Sequence, residues 1–279
     1  MSLDAHRHKK QLGQHFLADT DVVDKIIRAL APKPGEFIVE IGPGGGALTF
    51  PLLRAHGQLT VIEFDRDLIG PLTNEGGKHG QLTIVHRDVL QVDFGKLGAG
   101  HDVEGPLRLV GNLPYNISTP ILFHVLEHAD AVRDMHFMLQ KEVVDRMAAP
   151  PGSKVYGRLS VMLQAVCSVT PLFAVPPDAF IPPPKVDSAV VRLVPKPSAE
   201  TGIVDARTFS RVVAAAFMQR RKTLRNALFE VCDTAMMQKA GIDPGLRAEQ
   251  VPVAGFIELA ALVAAAADNG DHPANDAST

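Results

Sequence analysis

Phe37-Ile38-Val39-Glu40-Ile41-Gly42-Pro43-Gly44-Gly45-Gly46-Ala47-Leu48 is the stretch on which the fold turns. An apolar β-prone run enters a glycine turn, and a helical pattern begins at Leu48. A strand, a tight glycine turn and a helix N-terminus in succession open a nucleotide-binding βαβ unit, where backbone approaches the ligand closely. The spacing of Gly42, Gly44 and Ala47 fits the fingerprint G-x-G-x-x-G/A. Glu63 lies 21 residues after Gly42, at the end of the next apolar run, where a carboxylate can take both hydroxyls of a ribose. The same letters also describe a glycine turn beside a solvent-facing glutamate, and a dinucleotide oxidoreductase is the competing nucleotide reading.

Outward from this stretch, further β-prone runs are Leu59 to Glu63, Leu82 to Val85, Leu107 to Gly111, Met135 to Leu139, Val169 to Val175 and Ala189 to Leu193. Nearly continuous apolar strands with helix-length spacers predict a mostly parallel sheet. An amphipathic helix precedes the first strand, with Asp19 near its start and Val22, Val23, Ile26, Ile27 and Leu30 on one side. Val194 to Gly202, rich in Pro and polar residues, reads as a linker, and helical periodicity takes over after it. The expected class is therefore α/β: a Rossmann-like domain over 1–196, a small all-α C-terminal domain over 203–267, and a disordered polar tail over 268–279.

Composition bounds the function. The chain has 279 residues, of which 46% are hydrophobic and 21% charged, enough for a sizeable core and too apolar for wholesale disorder. The net charge of −3 excludes a surface coated in positive charge, so any nucleic-acid face must be local. Cys167 and Cys232 match no metal-ligand spacing, so no metal is expected, and a reduced, cytoplasmic chain is the simplest reading. The most apolar stretch, Val253 to Ala267, is shorter than the roughly 20 residues of a membrane span and contains Glu258. The N-terminus lacks the apolar run of a secretory signal.

Two further segments carry chemistry. Asp88, after the third strand, suits an exocyclic amino group of adenine, although a lone Asp there also suits a helix cap. Glu40, just before the glycine turn, suits an ammonium group. Three acidic residues at strand ends favour a cationic amino-acid nucleoside over an anionic pyrophosphate. Gly111-Asn112-Leu113-Pro114-Tyr115-Asn116-Ile117-Ser118 follows the fourth strand, with Thr119 expected to cap a helix that starts at Pro120. An adenine amino nitrogen is a poor nucleophile because its lone pair is delocalised into the ring. The Asn112 side-chain oxygen and the Leu113 carbonyl can accept its hydrogens and stabilise the charge that develops on alkylation. Pro114 stiffens the turn, and the Tyr115 ring offers a face for a flipped base. A plain Asn-Pro turn beside a half-buried Tyr is the bland alternative.

Here the chain resembles the ribosomal RNA adenine N6-dimethyltransferases, most closely their small-subunit branch, over roughly Leu12 to Leu259. Gln14-His15-Phe16-Leu17 is similar to the family's N-terminal cofactor motif, often Gln-Asn-Phe-Leu, with His15 the main departure. Glu40 to Thr49 resembles its glycine loop, Glu63 its ribose ligand, Asp88 its adenine ligand, and Asn112 to Tyr115 its Asn-Leu-Pro-Tyr signature. Phe180-Ile181-Pro182-Pro183-Pro184-Lys185-Val186-Asp187-Ser188 matches its late Pro-rich motif. The resemblance implies an S-adenosylmethionine-dependent enzyme. Its cofactor would be held by His15, Leu17, Glu40, Gly42, Gly44, Glu63, Asp88 and Asn112. Its target base would meet Asn112, Leu113, Pro114, Tyr115 and Phe180, although Phe180 alone also reads as a packing residue. The implied substrate is two adjacent adenosines near the 3′ end of small-subunit ribosomal RNA, within the assembling small ribosomal subunit, and the chain is expected to act as a monomer away from any membrane.

Arg207 to Leu228, projected as one helix, puts Phe209, Val212, Val213, Ala216, Phe217, Leu224 and Leu228 on one side. Arg207, Arg211, Arg221, Lys222 and Arg225 gather opposite, an electrostatic footprint for phosphates or merely a solvated face. Arg220 falls on the apolar side, which implies either a helix break near Gln219 or a partner for Arg220. Ala215 to Asn226 is similar to the small-subunit branch, so the resemblance implies RNA binding by Arg207, Arg211, Arg220, Arg221, Lys222 and Arg225. Arg7, Lys9 and Lys10, beside His6 and His8, form a second basic group. The alternatives are the large-subunit branch, whose methylation confers antibiotic resistance, a non-catalytic assembly factor and, remotely, an NAD-dependent dehydrogenase.

Overall fold

The computed structural model describes residues 15–97 and 105–268. Gln14, the basic group at Arg7, Lys9 and Lys10, and the tail beyond Asp268 lie outside them. The described residues form two compact units. One comprises the residues up to Val144 together with Thr170–Pro195, and the other comprises Asp145–Val169 and the residues from Lys196 on.

In chain order the first elements are β1 (Phe16–Leu17), α1 (Thr20–Leu30), β2 (Ile38–Ile41), α2 (Thr49–His56), β3 (Gln58–Glu63), α3 (Arg66–Gly76) and β4 (Gln81–His86). Next come α4 (Phe94–Leu97), β5 (Leu107–Asn112), α5 (Ser118–Leu126), β6 (Val132–Gln140), α6 (Lys141–Met147) and α7 (Arg158–Val166). β7 (Cys167–Val175), β8 (Phe180–Ile181) and β9 (Ser188–Pro195) complete the strands. The helices α8 (Ala206–Met218), α9 (Leu224–Ala227), α10 (Thr234–Lys239) and α11 (Val253–Asp268) follow.

A seven-stranded sheet runs in the order β4-β3-β2-β5-β6-β9-β7. β2 to β6 are parallel to their neighbours, and β9 returns antiparallel to β6. Chain order reverses at β2, between β3 and β5, which is the switch point where open α/β sheets bind ligands. β1 pairs with β8 as a separate antiparallel ribbon, Phe16 opposite Ile181 and Leu17 opposite Phe180. Asp19 caps α1 by accepting from the Asp21 and Val22 N–H groups. The buried face of α1, through Val22, Val23, Ile26 and Leu30, joins the same core as Val61, Val110, Met138 and Val190.

Three sequence expectations change. α5 begins at Ser118 rather than Pro120, with Ile117 before it and no side-chain cap. Thr119 and Pro120 therefore lie within its first turn, where a missing proline N–H costs nothing. The projected helix 207–228 ends at Met218 and resumes only at Leu224, because Gln219 leaves helical geometry. Residues 145–169 lie inside the expected 1–196 domain but pack with the helical unit. There Tyr156, fully buried, donates to the Val251 carbonyl (3.0 Å), and Val161 and Ala165 share a core with Phe209, Val212 and Phe256. Among the described residues no helix is long and apolar enough to cross a membrane.

Candidate active site

Side chains along a strand alternate faces, so register decides which of them meet. Glu40 lies opposite Val61 and Val110, and Val110 lies opposite His136, which places Glu40 and His136 on one face of the sheet. Two residues further along their strands, Glu63, Asn112 and Met138 share that face. A cavity of about 320 Å³ opens here. Its walls include Glu40, Glu63 and Asp88, the glycine turn, Asn112 to Tyr115, His15, Leu17, Phe64, Arg87 and His136.

Two glycines make the close approaches possible. Gly44 has φ of 53°, in the left-handed region, and any Cβ there would lie 3.1 Å from the Phe16 ring. A Cβ on Gly111 would lie 2.5 Å from the Ile41 carbonyl, so only glycine lets β5 press against the end of β2 and bring Asn112 beside the turn.

The carboxylates are held individually. Glu40 is buried, and the Thr49 hydroxyl donates to its Oε2 (2.6 Å). Its carboxyl is pushed up to about 8: burial disfavours the charge, the Thr49 hydrogen bond offsets part of this, and Glu63 adds repulsion. Glu63 is also raised, chiefly by burial, although the Asp65 N–H (2.7 Å) and a longer contact from the Gly44 N–H (3.4 Å) oppose the shift. Asp88 caps a single 3-10 turn by accepting from the Leu90 N–H (3.0 Å), so the cap and the cavity wall are one residue.

Asn112 is oriented by its amide. Nδ2 donates to the His15 carbonyl (3.0 Å), a group that only accepts, so Oδ1 is left as the acceptor for a ligand. The Leu113 N–H is used on the Met138 carbonyl (3.1 Å). Tyr115 stacks on His15 with ring centroids 5.8 Å apart, and its hydroxyl shares a hydrogen bond with the buried Ser188 Oγ (2.7 Å). Burial holds that phenol above its usual range, hence protonated. His15 Nδ1 lies 2.8 Å from the Pro182 carbonyl and therefore carries the proton. The N-terminal strand thus joins the Pro-rich loop to the Asn-Leu-Pro-Tyr turn.

Phe180 is the exception among the expected cavity residues. Its ring is 2% exposed, packed with Leu17, Val175, Ala179 and Val190, and it does not line the cavity. Pairing with Leu17 turns it into the core, so here it is a packing residue. Sequence alone assigns no role to Ser188 or His136. A lone His in phase with the ligand face of an apolar strand was the available signal for the second.

On the helical unit, Arg207, Arg211, Arg221, Lys222 and Arg225 are exposed. Arg211, Arg221, Lys222 and Arg225 form no ion pair among the described residues. Arg220 differs: it donates to the Lys154 carbonyl (3.0 Å) and lies 3.9 Å from Glu249. The break at Gln219 and these partners account for its departure from the helical pattern, and they give Arg220 a structural contact within its own unit.

The cavity's chemistry fits a cationic nucleoside. Its volume falls within the roughly 300–1,000 Å³ of small-molecule sites. Four carboxyl groups, Glu40, Glu63, Asp65 and Asp88, line it, against Arg87 as the one Lys or Arg among the lining residues. A mostly parallel sheet with this acidic cavity at its switch point is a Rossmann-like methyltransferase domain. The family model "Ribosomal RNA adenine dimethylase" matches residues 5–265, and the chain belongs to that family, whose cofactor is S-adenosylmethionine. It is 68% identical over 252 residues to "Ribosomal RNA small subunit methyltransferase A" of Xanthomonas campestris pv. campestris strain B100, covering 90% of this chain and 95% of that protein. The protein of the same name in Xanthomonas oryzae pv. oryzae strain PXO99A is 67% identical over the same shares. Among solved structures, a dimethyladenosine transferase from Plasmodium falciparum has TM-score 0.72 at 24% identity, covering 88% of this chain and 96% of that one. The 23S rRNA methyltransferase ErmE has TM-score 0.66 at 23% identity, covering 89% and 99%. At these identities both show likeness of fold.

The raised Glu40 carboxyl has a measurable consequence. With its pKa near 8, Glu40 is mostly protonated in the unliganded protein at pH 7, and a cation bound against it would drive it to ionise. S-adenosylmethionine binding at pH 7 is expected to release close to one proton, measured by titration calorimetry in buffers of different ionisation enthalpy. Affinity is expected to rise from pH 6 towards pH 8, and Glu40→Gln is expected to abolish both effects. Proton release that is identical in the two proteins removes Glu40 from the cationic end of the ligand.

Proposed function

We propose that this chain transfers methyl groups from S-adenosylmethionine to N6 of two adjacent adenosines near the 3′ end of small-subunit ribosomal RNA. In this reading it acts as a cytoplasmic monomer on the assembling small ribosomal subunit. The observation that carries the chemistry is the Asn112 amide, held by the His15 carbonyl so that Oδ1 is the available acceptor. The small-subunit target is supported by the likeness to ribosomal RNA small subunit methyltransferase A, 68% identical over 252 residues. The two buried free thiols, Cys167 and Cys232, both held above their usual pKa by burial, suit a reducing compartment.

The residues have divided roles in this reading. Glu63 takes the ribose hydroxyls, Asp88 the adenine amino group and Glu40 the ammonium group, while the glycine turn, His15 and Leu17 complete the seat. Bound there, the cofactor supplies an electrophilic methyl group. Asn112 Oδ1 and the Leu113 carbonyl accept the N6 hydrogens of the target, which favours a pyramidal nitrogen and stabilises its developing positive charge. Pro114 and the stacked, hydrogen-bonded Tyr115 hold the flipped base in place. No strong base is required of the protein, because the alkylated nitrogen is itself acidic.

The test is methylation of unmodified small subunits with labelled cofactor, followed by mapping of the products. Two adjacent dimethylated adenosines near the 3′ end are expected. Asn112→Ala is expected to slow single-turnover transfer by about 10²-fold, the scale for one preorganised partner at the reacting atom. Label confined to large-subunit RNA, or a full rate from Asn112→Ala, contradicts the reading.

We assign phosphate contact to Arg207, Arg211, Arg221, Lys222 and Arg225 and exclude Arg220, which already has partners. Charge reversal at Arg221, Lys222 and Arg225 is expected to weaken particle binding and flatten its salt dependence, by roughly 0.7–0.9 in log–log slope per lost phosphate contact. Cofactor affinity is expected to stay unchanged. Arg220→Gln is expected to lower thermal stability more than the salt slope. An unchanged slope in the triple variant means the face is only solvated.

A further inference from the structure

His136 stands in the middle of β6 and is 1% exposed. Among the described residues neither ring nitrogen has a partner at normal hydrogen-bond geometry, and the groups nearest the ring are Asp134, 4.0 Å from Nδ1, and the Ala29 carbonyl. Buried polar atoms are nearly always paired, so a ring nitrogen left without a partner on a cavity wall points to a group that arrives with the ligand. The ring lines the same cavity as Glu40 and Asn112. Register places it two strands from Glu40 on the same face, with Val110 between them. Two strand spacings separate the backbones by roughly 10 Å, a span that two side chains and one small polar group close.

The surroundings set the proton. Nδ1 lies 4.0 Å from Asp134 Oδ1, and Asp134 is itself held by Arg108 (2.9 Å at each oxygen) and by Arg192 (3.3 Å). Burial lowers the His136 pKa to about 4, opposed by Asp134 and helped by Arg108 and Arg192, with the Ala29 carbonyl nearby favouring a ring N–H. The neutral ring has one N–H and one lone pair. The carboxylate beside Nδ1 draws the N–H to that side and leaves the lone pair on Nε2.

We propose that His136 is a further cofactor-binding residue, whose Nε2 accepts a hydrogen bond, directly or through one trapped water, from the ammonium group at the amino-acid end of S-adenosylmethionine, opposite Glu40. This rests on the reading of the cavity as the cofactor site. Asp88 and Glu63 stand on the β4 and β3 side, where the nucleoside belongs. His136 stands on the β6 side, beyond Asn112, where only the amino-acid end of the cofactor remains to be held.

The test compares two probes on the full chain, S-adenosylmethionine and 5′-methylthioadenosine, which lacks the amino-acid end. His136→Leu is expected to weaken S-adenosylmethionine about tenfold, the scale of one buried hydrogen bond, and to leave 5′-methylthioadenosine within twofold. His136→Gln, which restores an acceptor, is expected to recover most of the loss. A second measurement needs no variant: in wild-type protein with ¹⁵N-labelled histidine, the His136 Nε2 resonance is expected to shift with S-adenosylmethionine and not with 5′-methylthioadenosine. Equal weakening of both probes by His136→Leu, or a resonance that answers both probes alike, overturns the proposal. Failure of S-adenosylmethionine to bind wild-type protein instead overturns the cofactor reading on which it rests.

Discussion

The two-residue period of β3, β2, β5 and β6 aligns Glu63, Glu40, Asn112 and His136 on one face of the sheet, and the rest of the site depends on that alignment. A slip of one residue in any strand would turn its polar side chain to the opposite face. The apolar neighbours guard the register: Val61, Val110 and Met138 occupy the same face and pack with α1, so a slip would also expose core. Gly111 tightens the arrangement by admitting the Ile41 carbonyl where a side chain would stand. The packing that gives the domain its core therefore also lines up the polar side chains of the cavity.

A second constraint ties chain segments far apart in sequence. The His15 carbonyl orients Asn112, its ring supports Tyr115, and its Nδ1 proton holds the Pro182 carbonyl. Ser188, at the end of the same Pro-rich segment, fixes the Tyr115 hydroxyl. Asn112 and Tyr115 are thus each held by a neighbour already engaged elsewhere, which is how a cavity wall keeps its geometry before a ligand arrives. Where the family often has Asn, His15 serves through a backbone carbonyl that any residue would supply and a ring that Asn would not.

Much of this was legible in the sequence because it is local. The glycine turn, Glu63 after its strand, and Asn112 to Tyr115 after theirs are runs whose chemistry and position are read together. What stayed hidden depends on partners distant along the chain. Phe180 reads as a base-binding aromatic until its pairing with Leu17 turns it inward. Arg220 reads as an RNA contact until the Lys154 carbonyl and Glu249 are found beside it. Residues 145–169 interrupt a βα alternation with only the short run Pro150-Pro151-Gly152-Ser153 to mark them, and their allegiance is revealed by Ala149, Tyr156, Val161 and Ala165 buried in the helical core. His136 is one polar letter in an apolar strand, and its phase with Asn112 acquires meaning only once the register is known.

The central claim is that one face of the sheet holds the cofactor, while Asn112 presents its oxygen to the target. A crystal structure with S-adenosylhomocysteine bound tests it most directly. The account predicts the ribose hydroxyls within hydrogen-bond reach of Glu63, roughly 3.2 Å or less, the adenine amino group at Asp88, the amino-acid end between Glu40 and His136, and the Asn112 amide still donating to the His15 carbonyl. A ligand seated away from Glu63 and Asp88, or an Asn112 turned with Nδ2 into the cavity, would contradict it.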